Sequence, residues 1–184
     1  MNVKETPIPD MLIIEPKILG DERGYFFESY NKTIFTNAGL QYDFVQDNEA
    51  KSKRGVLRGL HFQQTAMAQA KLVRVTEGMV FDVGVDCRRG SPTFGQYFGM
   101  ILSAENKKQL LVPRGFAHGY LVLSETAVFN YKCDNFYSKE SEGGIAYNDP
   151  DINIPWPISE NELILSDKDL EQPSFKDGLF DFVF

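Results

Sequence analysis

The sequence predicts an all-β protein folded as an antiparallel jelly roll. Strand-like runs recur at roughly 8–12-residue spacing with turn signals between them, as in sandwiches and barrels. Aromatic residues make up 13% of the chain, including fifteen Phe and eight Tyr, side chains that suit pleated surfaces. Strand and helix patterns do not alternate, so a parallel doubly wound sheet is not expected.

The elements follow in order. MLIIEPKIL (11–19) reads as a strand, GDERG (20–24) as a turn and YFFESY (25–30) as a strand. Asn31 can cap a short helix, KTIFTNA, which Gly39 ends. DFVQDNEAKSKRG leads into the strand VLRGLHFQ (56–63). After a polar loop come KLVRVTEG (71–78), MVFDVGVD (79–86) and the turn CRRGSP. TFGQYFGMILS (93–103), LLVPRGFAHGYLVL (110–123) and AVFNYKCDNFY (127–137) have the same strand character. The remainder is irregular, with a capping box expected from Ser159 to Glu162. Nine Pro and fifteen Gly supply the turns.

At 184 residues the chain is expected to form a single domain, residues 1–184, burying roughly 70% of its extended surface. Net charge is −7, from 19 basic and 26 acidic residues, which argues against nucleic acid or an anionic membrane as partner. One anionic small molecule remains compatible, because local cations decide that. Cys87 and Cys133 sit in no CxxC pair and read as buried thiols of a reducing compartment, with their pairing left open. The segment MNVKETPIPD lacks a signal-peptide layout and no apolar run approaches the ~18 residues of a membrane span. The expectation is a cytoplasmic protein.

VLRGLHFQ carries one of only two histidines. Strict alternation puts Leu57, Gly59, His61 and Gln63 on one face and Val56, Arg58, Leu60 and Phe62 on the other. Arg58 and His61 would then diverge, unless a bulge at Gly59 re-aims one of them. The second histidine, His118, follows a Pro-x-Gly-x-x-His turn in PRGFAHGY. In many cupin-type jelly rolls that histidine binds metal. Here a metal site would need His61, His118 and a carboxylate as a facial triad, a thin donor set, and no metal is expected. Arg23 in a turn, Arg58 and Lys71 at strands and Lys168 in LSDKD each read singly as surface charges. Arg58 and Lys71 flanking the histidine strand make a cationic cavity plausible, and an arginine fork suits phosphate oxygens. Tyr131 shares strand parity with Phe129 and Cys133. Asp82 or Asp169 could orient a histidine, and spacing does not choose between them.

The segments GDERGYFFESYN, FVQDN, SKRGVLRGLHFQ, KLVRVTEG, VFDVGVDCRRGSPTFGQ, LSAENKKQL, VPRGFAHGY, YKCDNFYSKESEGGI and LSDKD, in this order from about residue 8 to 173, resemble the dTDP-4-dehydrorhamnose 3,5-epimerase family. The resemblance implies a cupin-type jelly roll, a double-stranded β-helix with a few short peripheral helices. It implies inversion of carbons 3 and 5 of a dTDP-4-keto-6-deoxy sugar in dTDP-L-rhamnose biosynthesis, with no cofactor. It implies His61 as base, Asp169 as its partner, Tyr131 as acid and Lys71 near the sugar oxygen. Arg23, Glu28, Gln46, Asp47, Asn48 and Arg58 match nucleotide-binding positions. His118, Glu142 and Lys168 match further ligand contacts, and Tyr137 matches an aromatic that stacks on thymine. None of these positions departs from the family pattern.

Three rivals remain at this point: a single-centre epimerase or keto-isomerase on a related dTDP-sugar, a metal-dependent cupin enzyme, and a non-catalytic nucleotide-sugar-binding module. The resemblance also implies a homodimer, in keeping with jelly-roll edge strands. The tail LFDFVF is too apolar to flap in water and is expected to pack on this chain or on a partner.

Overall fold

A computed structural model describes residues 1–184. Thirteen strands and two short helices follow the chain: β1 Asn2–Glu5, β2 Leu12–Glu15, β3 Leu19–Asp21, β4 Gly24–Phe26, α1 Lys32–Asn37, β5 Gln46–Lys53, β6 Leu57–Gln63, β7 Lys71–Glu77, β8 Met79–Asp86, β9 Tyr97–Ser103, β10 Gln109–Val112, β11 Phe116–Val122, β12 Thr126–Cys133, β13 Glu142–Gly144 and α2 Asp167–Leu170. They form a six-stranded sheet, β1-β2-β10-β7-β12-β5, a five-stranded sheet, β13-β6-β11-β8-β9, and a β3-β4 hairpin. The named strand pairs are all antiparallel. The all-β jelly-roll expectation holds. No helix is long and apolar enough to cross a membrane.

Period-2 alternation builds the core. In β7, Val73 and Val75 point between the sheets while Leu72 points away. In β11, Phe116, Tyr120 and Val122 point between the sheets while Ala117 and Leu121 point outward. Side chains this well buried contribute roughly 1.5–3 kcal/mol each. The outer face of the five-stranded sheet is covered by Ile145, Ile152, Ile154, Phe180 and Phe182. The Phe-rich tail therefore packs on this chain through Phe180 and Phe182, leaving Leu179, Val183 and Phe184 exposed.

Several boundaries differ from the sequence reading. Residues 11–19 hold one short strand and the start of another, because Pro16 interrupts the run. Pro113 and Gly115 likewise split 110–123 into β10 and β11. Of the 25–30 segment only Tyr25 and Phe26 lie in a strand, as do 97–103 of the 93–103 segment, and β1, β5 and β13 are strands the sequence pattern does not mark. Helix α1 has the expected cap, with the Asn31 side chain accepting from Ile34 N–H. The capping box is not at Ser159, which begins only a 3-10 turn and makes no side-chain cap bond. It lies at Ser166–Asp169 and opens α2. Cys87 and Cys133 are both free and buried.

Candidate active site

One register irregularity assembles the site. His61 pairs with His118 and Arg58 with Tyr120, so three steps along β6 match two along β11. The extra residue falls around Gly59, which adopts φ +139° and lies so close to β11 that a Cβ would meet Gly119 Cα at 2.5 Å. Only glycine fits both the dihedral and the approach. The bulge turns Arg58 onto the face of His61, against strict alternation, and both line a cavity of ≈ 290 Å³.

Two walls enclose this cavity. The five-stranded sheet supplies Arg58, His61, His118 and Tyr120. The six-stranded sheet supplies Ala50, Lys71, Phe129 and Tyr131, and Ser166, Lys168 and Asp169 of the α2 region complete the lining. Tyr120 and Ser166 are site residues the sequence reading did not select. Tyr120 was findable, because it shares strand parity with His118.

His61 Nε2 lies 2.8 Å from Asp169 Oδ1. The oxygen sits off the ring N–H axis, so that Nε2 has no aligned partner, a looseness ordinary for catalytic pairs without ligand. Asp169 is the third helical residue of α2. It accepts from Ser166 Oγ at 2.5 Å and from Gly59 N–H at 3.3 Å. The capping box of a one-turn helix thus anchors the carboxylate of the dyad. Burial pushes the Asp169 carboxyl up, but the close approach and charge of the His61 ring, the Ser166 hydrogen bonds and the Gly59 N–H outweigh it, holding the pKa at about 2.

That shift carries a stability consequence. The folded pKa lies below the ordinary aspartate value of 3.8, so the contribution is fully present above about pH 4 and is lost as pH falls through about 2. It amounts to on the order of 2 kcal/mol. Denaturant titrations of wild type and Asp169→Asn are expected to differ by about this much at pH 6 and to converge towards pH 2. A gap that stays constant with pH would refute the assignment.

His118 has its own carboxylate. Its Nε2 lies 3.1 Å from both oxygens of Asp82, which is fully buried. Asp169 and Asp82 therefore each orient one histidine. With each imidazole turned to a separate acid, no group of three His, Cys, Asp or Glu side chains converges as a metal-holding set.

Lys71 is partly buried on the inner face of β7. Burial pushes its ammonium group down, against the pull of Cys133, Asp82 and Glu142. Burial pushes the Tyr131 phenol up, with Cys133 and Tyr120 adding to it and Arg58 opposing. Tyr131 is thus a protonated donor at neutral pH. It projects from the wall opposite His61.

The remaining predicted residues divide. Gln46 and Asn48 point inward on β5, where the Gln46 side chain donates to Asn48 and Asn48 approaches Cys133 Sγ. Gln46 Oε1 accepts from Tyr137 N–H, Tyr137 Oη donates to Glu142, and Glu142 pairs with Lys168. These four form a chain along the rim and leave Tyr137 54% exposed. Asp47 points the other way, into an outer-face cavity of ≈ 380 Å³ with Glu49, Arg74, Asn130 and Lys132. There it pairs with Lys132 at 2.7 Å, and Glu49 accepts from Asn130. That cavity has no histidine. Arg23 lies in the exposed β3-β4 turn against Asp21, and Glu28 bonds Asn31. The fold of one chain does not bring these two to the His61 cavity.

A family model described as dTDP-4-dehydrorhamnose 3,5-epimerase matches residues 5–177. The dTDP-4-dehydrorhamnose 3,5-epimerase of Shigella flexneri is 58% identical over 179 residues, covering 97% of this chain and 98% of its own. The crystal structure of the enzyme of that name from Elizabethkingia anophelis superposes with a TM-score of 0.92 at 59% identity, covering 96% of this chain and 97% of its own. A dTDP-6-deoxy-D-glucose-3,5-epimerase from Legionella pneumophila, in complex with dTDP-4-keto-L-rhamnose, gives a TM-score of 0.92 at 51% identity, covering 96% and 93%.

Proposed function

Because the chain belongs to the dTDP-4-dehydrorhamnose 3,5-epimerase family, we propose that its His61 cavity inverts carbons 3 and 5 of dTDP-4-dehydro-6-deoxy-D-glucose to give dTDP-4-dehydro-L-rhamnose. The observation that carries this reading is a base and an acid on facing walls: the His61–Asp169 dyad on one and Tyr131 on the other.

The 4-keto group acidifies the hydrogens on the neighbouring carbons. His61 removes one, and Asp169 stabilises the imidazolium that forms. Negative charge moves to the 4-oxygen, where Lys71 is placed to meet it. Tyr131 then returns a proton from the other face, and the centre inverts. The same pair serves both carbons if the ring shifts between steps. Arg58 takes the diphosphate, with His118 and Lys168 nearby. The exposed Tyr137 ring offers a stacking face for the base, beside Gln46, Asn48 and Glu142. Residues 1–184 act as one domain, and the two buried thiols fit a cytoplasmic setting.

Arg23 and Glu28 fit the reading only across a homodimer. The hairpin that carries Arg23 exposes Ile18, Leu19, Tyr25 and Phe26, apolar surface that a second copy would cover. Asp47, turned away from its own chain's cavity, falls outside this account.

Incubation with the 4-keto-6-deoxyglucose nucleotide in deuterium oxide is expected to give the L-rhamno product labelled at carbons 3 and 5, from protein that sediments as a dimer. Label at one carbon alone would make it a single-centre epimerase, and a monomer would remove the contribution in trans.

A further inference from the structure

From the Tyr120 side chain we infer a ligand contact beyond the residues assigned above: its hydroxyl is a hydrogen-bond donor to the phosphate oxygens that Arg58 holds. This rests on the epimerase reading and deepens it.

Tyr120 is 5% exposed and lines the His61 cavity. Its ring stacks on Phe129, with centroids 4.0 Å apart and planes at 14°. The ring is therefore fixed from the opposite wall, and the hydroxyl has little freedom to search for another partner. The Oη atom is buried and makes no well-aligned hydrogen bond in the chain, with Ser52 and Arg58 beside it. Buried polar atoms are seldom left so, and this one belongs to a residue that lines the His61 cavity.

The register says which ligand atoms it meets. Tyr120 is the direct cross-strand neighbour of Arg58. Arg58 uses Nε to reach Ser52 Oγ at 3.2 Å, which leaves its terminal nitrogens for an anion. A phenol beside that guanidinium adds a neutral donor to the same anion, and hydrogen bonds to charged acceptors are the strong ones. Burial pushes the phenol up, more than Arg58 and Ser52 draw it down, so it carries its proton at neutral pH. Tyr120 stands on the same sheet as His61, not on the facing wall of Tyr131. That position excludes it as the acid on the face opposite the base and leaves it a binding role.

Tyr120→Phe tests this, because it keeps the stack on Phe129 and removes one atom. Calorimetric titration with thymidine diphosphate is expected to show affinity reduced about tenfold or more, and dTDP-glucose to lose a similar factor. The melting temperature of the unliganded variant is expected to hold or rise, because an unpaired polar atom has gone. Unchanged thymidine diphosphate affinity overturns the inference. So does a loss confined to dTDP-glucose, which would place the hydroxyl at the sugar, and so does a lower melting temperature without ligand, which would make it structural. Wild-type protein that binds no thymidine diphosphate would instead sink the functional reading beneath it.

Discussion

His61→Asn is expected to lower turnover by roughly 10²–10⁴-fold, the range general acid–base groups contribute, without unfolding the protein. Asparagine retains polar atoms near Asp169 but cannot accept a proton from carbon. Asp169 keeps its Ser166 and Gly59 contacts, so α2 stays capped. The sharper readout is isotopic. With no base, neither carbon 3 nor carbon 5 should exchange with deuterium oxide, in product or in recovered substrate. Exchange at the wild-type rate would mean that another group, His118 being the nearest in kind, performs the abstraction.

Tyr131→Phe is expected to cost a similar factor in product formation and to fail differently. His61 and Asp169 remain, so the enolate still forms. Without a donor on the facing wall, the proton returns from the side it left. Recovered substrate should therefore gain deuterium while inverted product falls. The two variants together separate abstraction from redelivery. Inverted product at the wild-type rate would remove Tyr131 from the mechanism.

Much of this site was legible in the sequence because period-2 alternation holds through the cavity-lining parts of β7, β11 and β12. Parity alone places Lys71 with Val73, and Tyr131 with Phe129, on the inner faces. The pairing of Arg58 with the His61 face was not decidable. Gly59 permitted a bulge, but whether one forms depends on register against β11, a contact more than fifty residues away in the chain. The choice between Asp82 and Asp169 could not be made because both are used, one per histidine. Ser159 and Ser166 both precede an acid by three residues. The helix forms at Ser166, where the acid also meets Gly59 and His61, so tertiary contacts selected between equal local signals. Arg23, Glu28 and Asp47 matched family motifs, yet one chain leaves them outside the cavity.

Gly59 and Gly119 press β6 and β11 together so closely that neither position has room for a methyl group. The half of the pocket that carries Arg58 and His61 is consequently a fixed casting. Its partner half, shaped by Ala50, Phe129 and Tyr131, has no glycine within β5, β7 or β12. Efforts to retune this scaffold for a bulkier or differently substituted ketosugar should accordingly vary that second half first, where new shapes can be tried while the reactive imidazole stays in place.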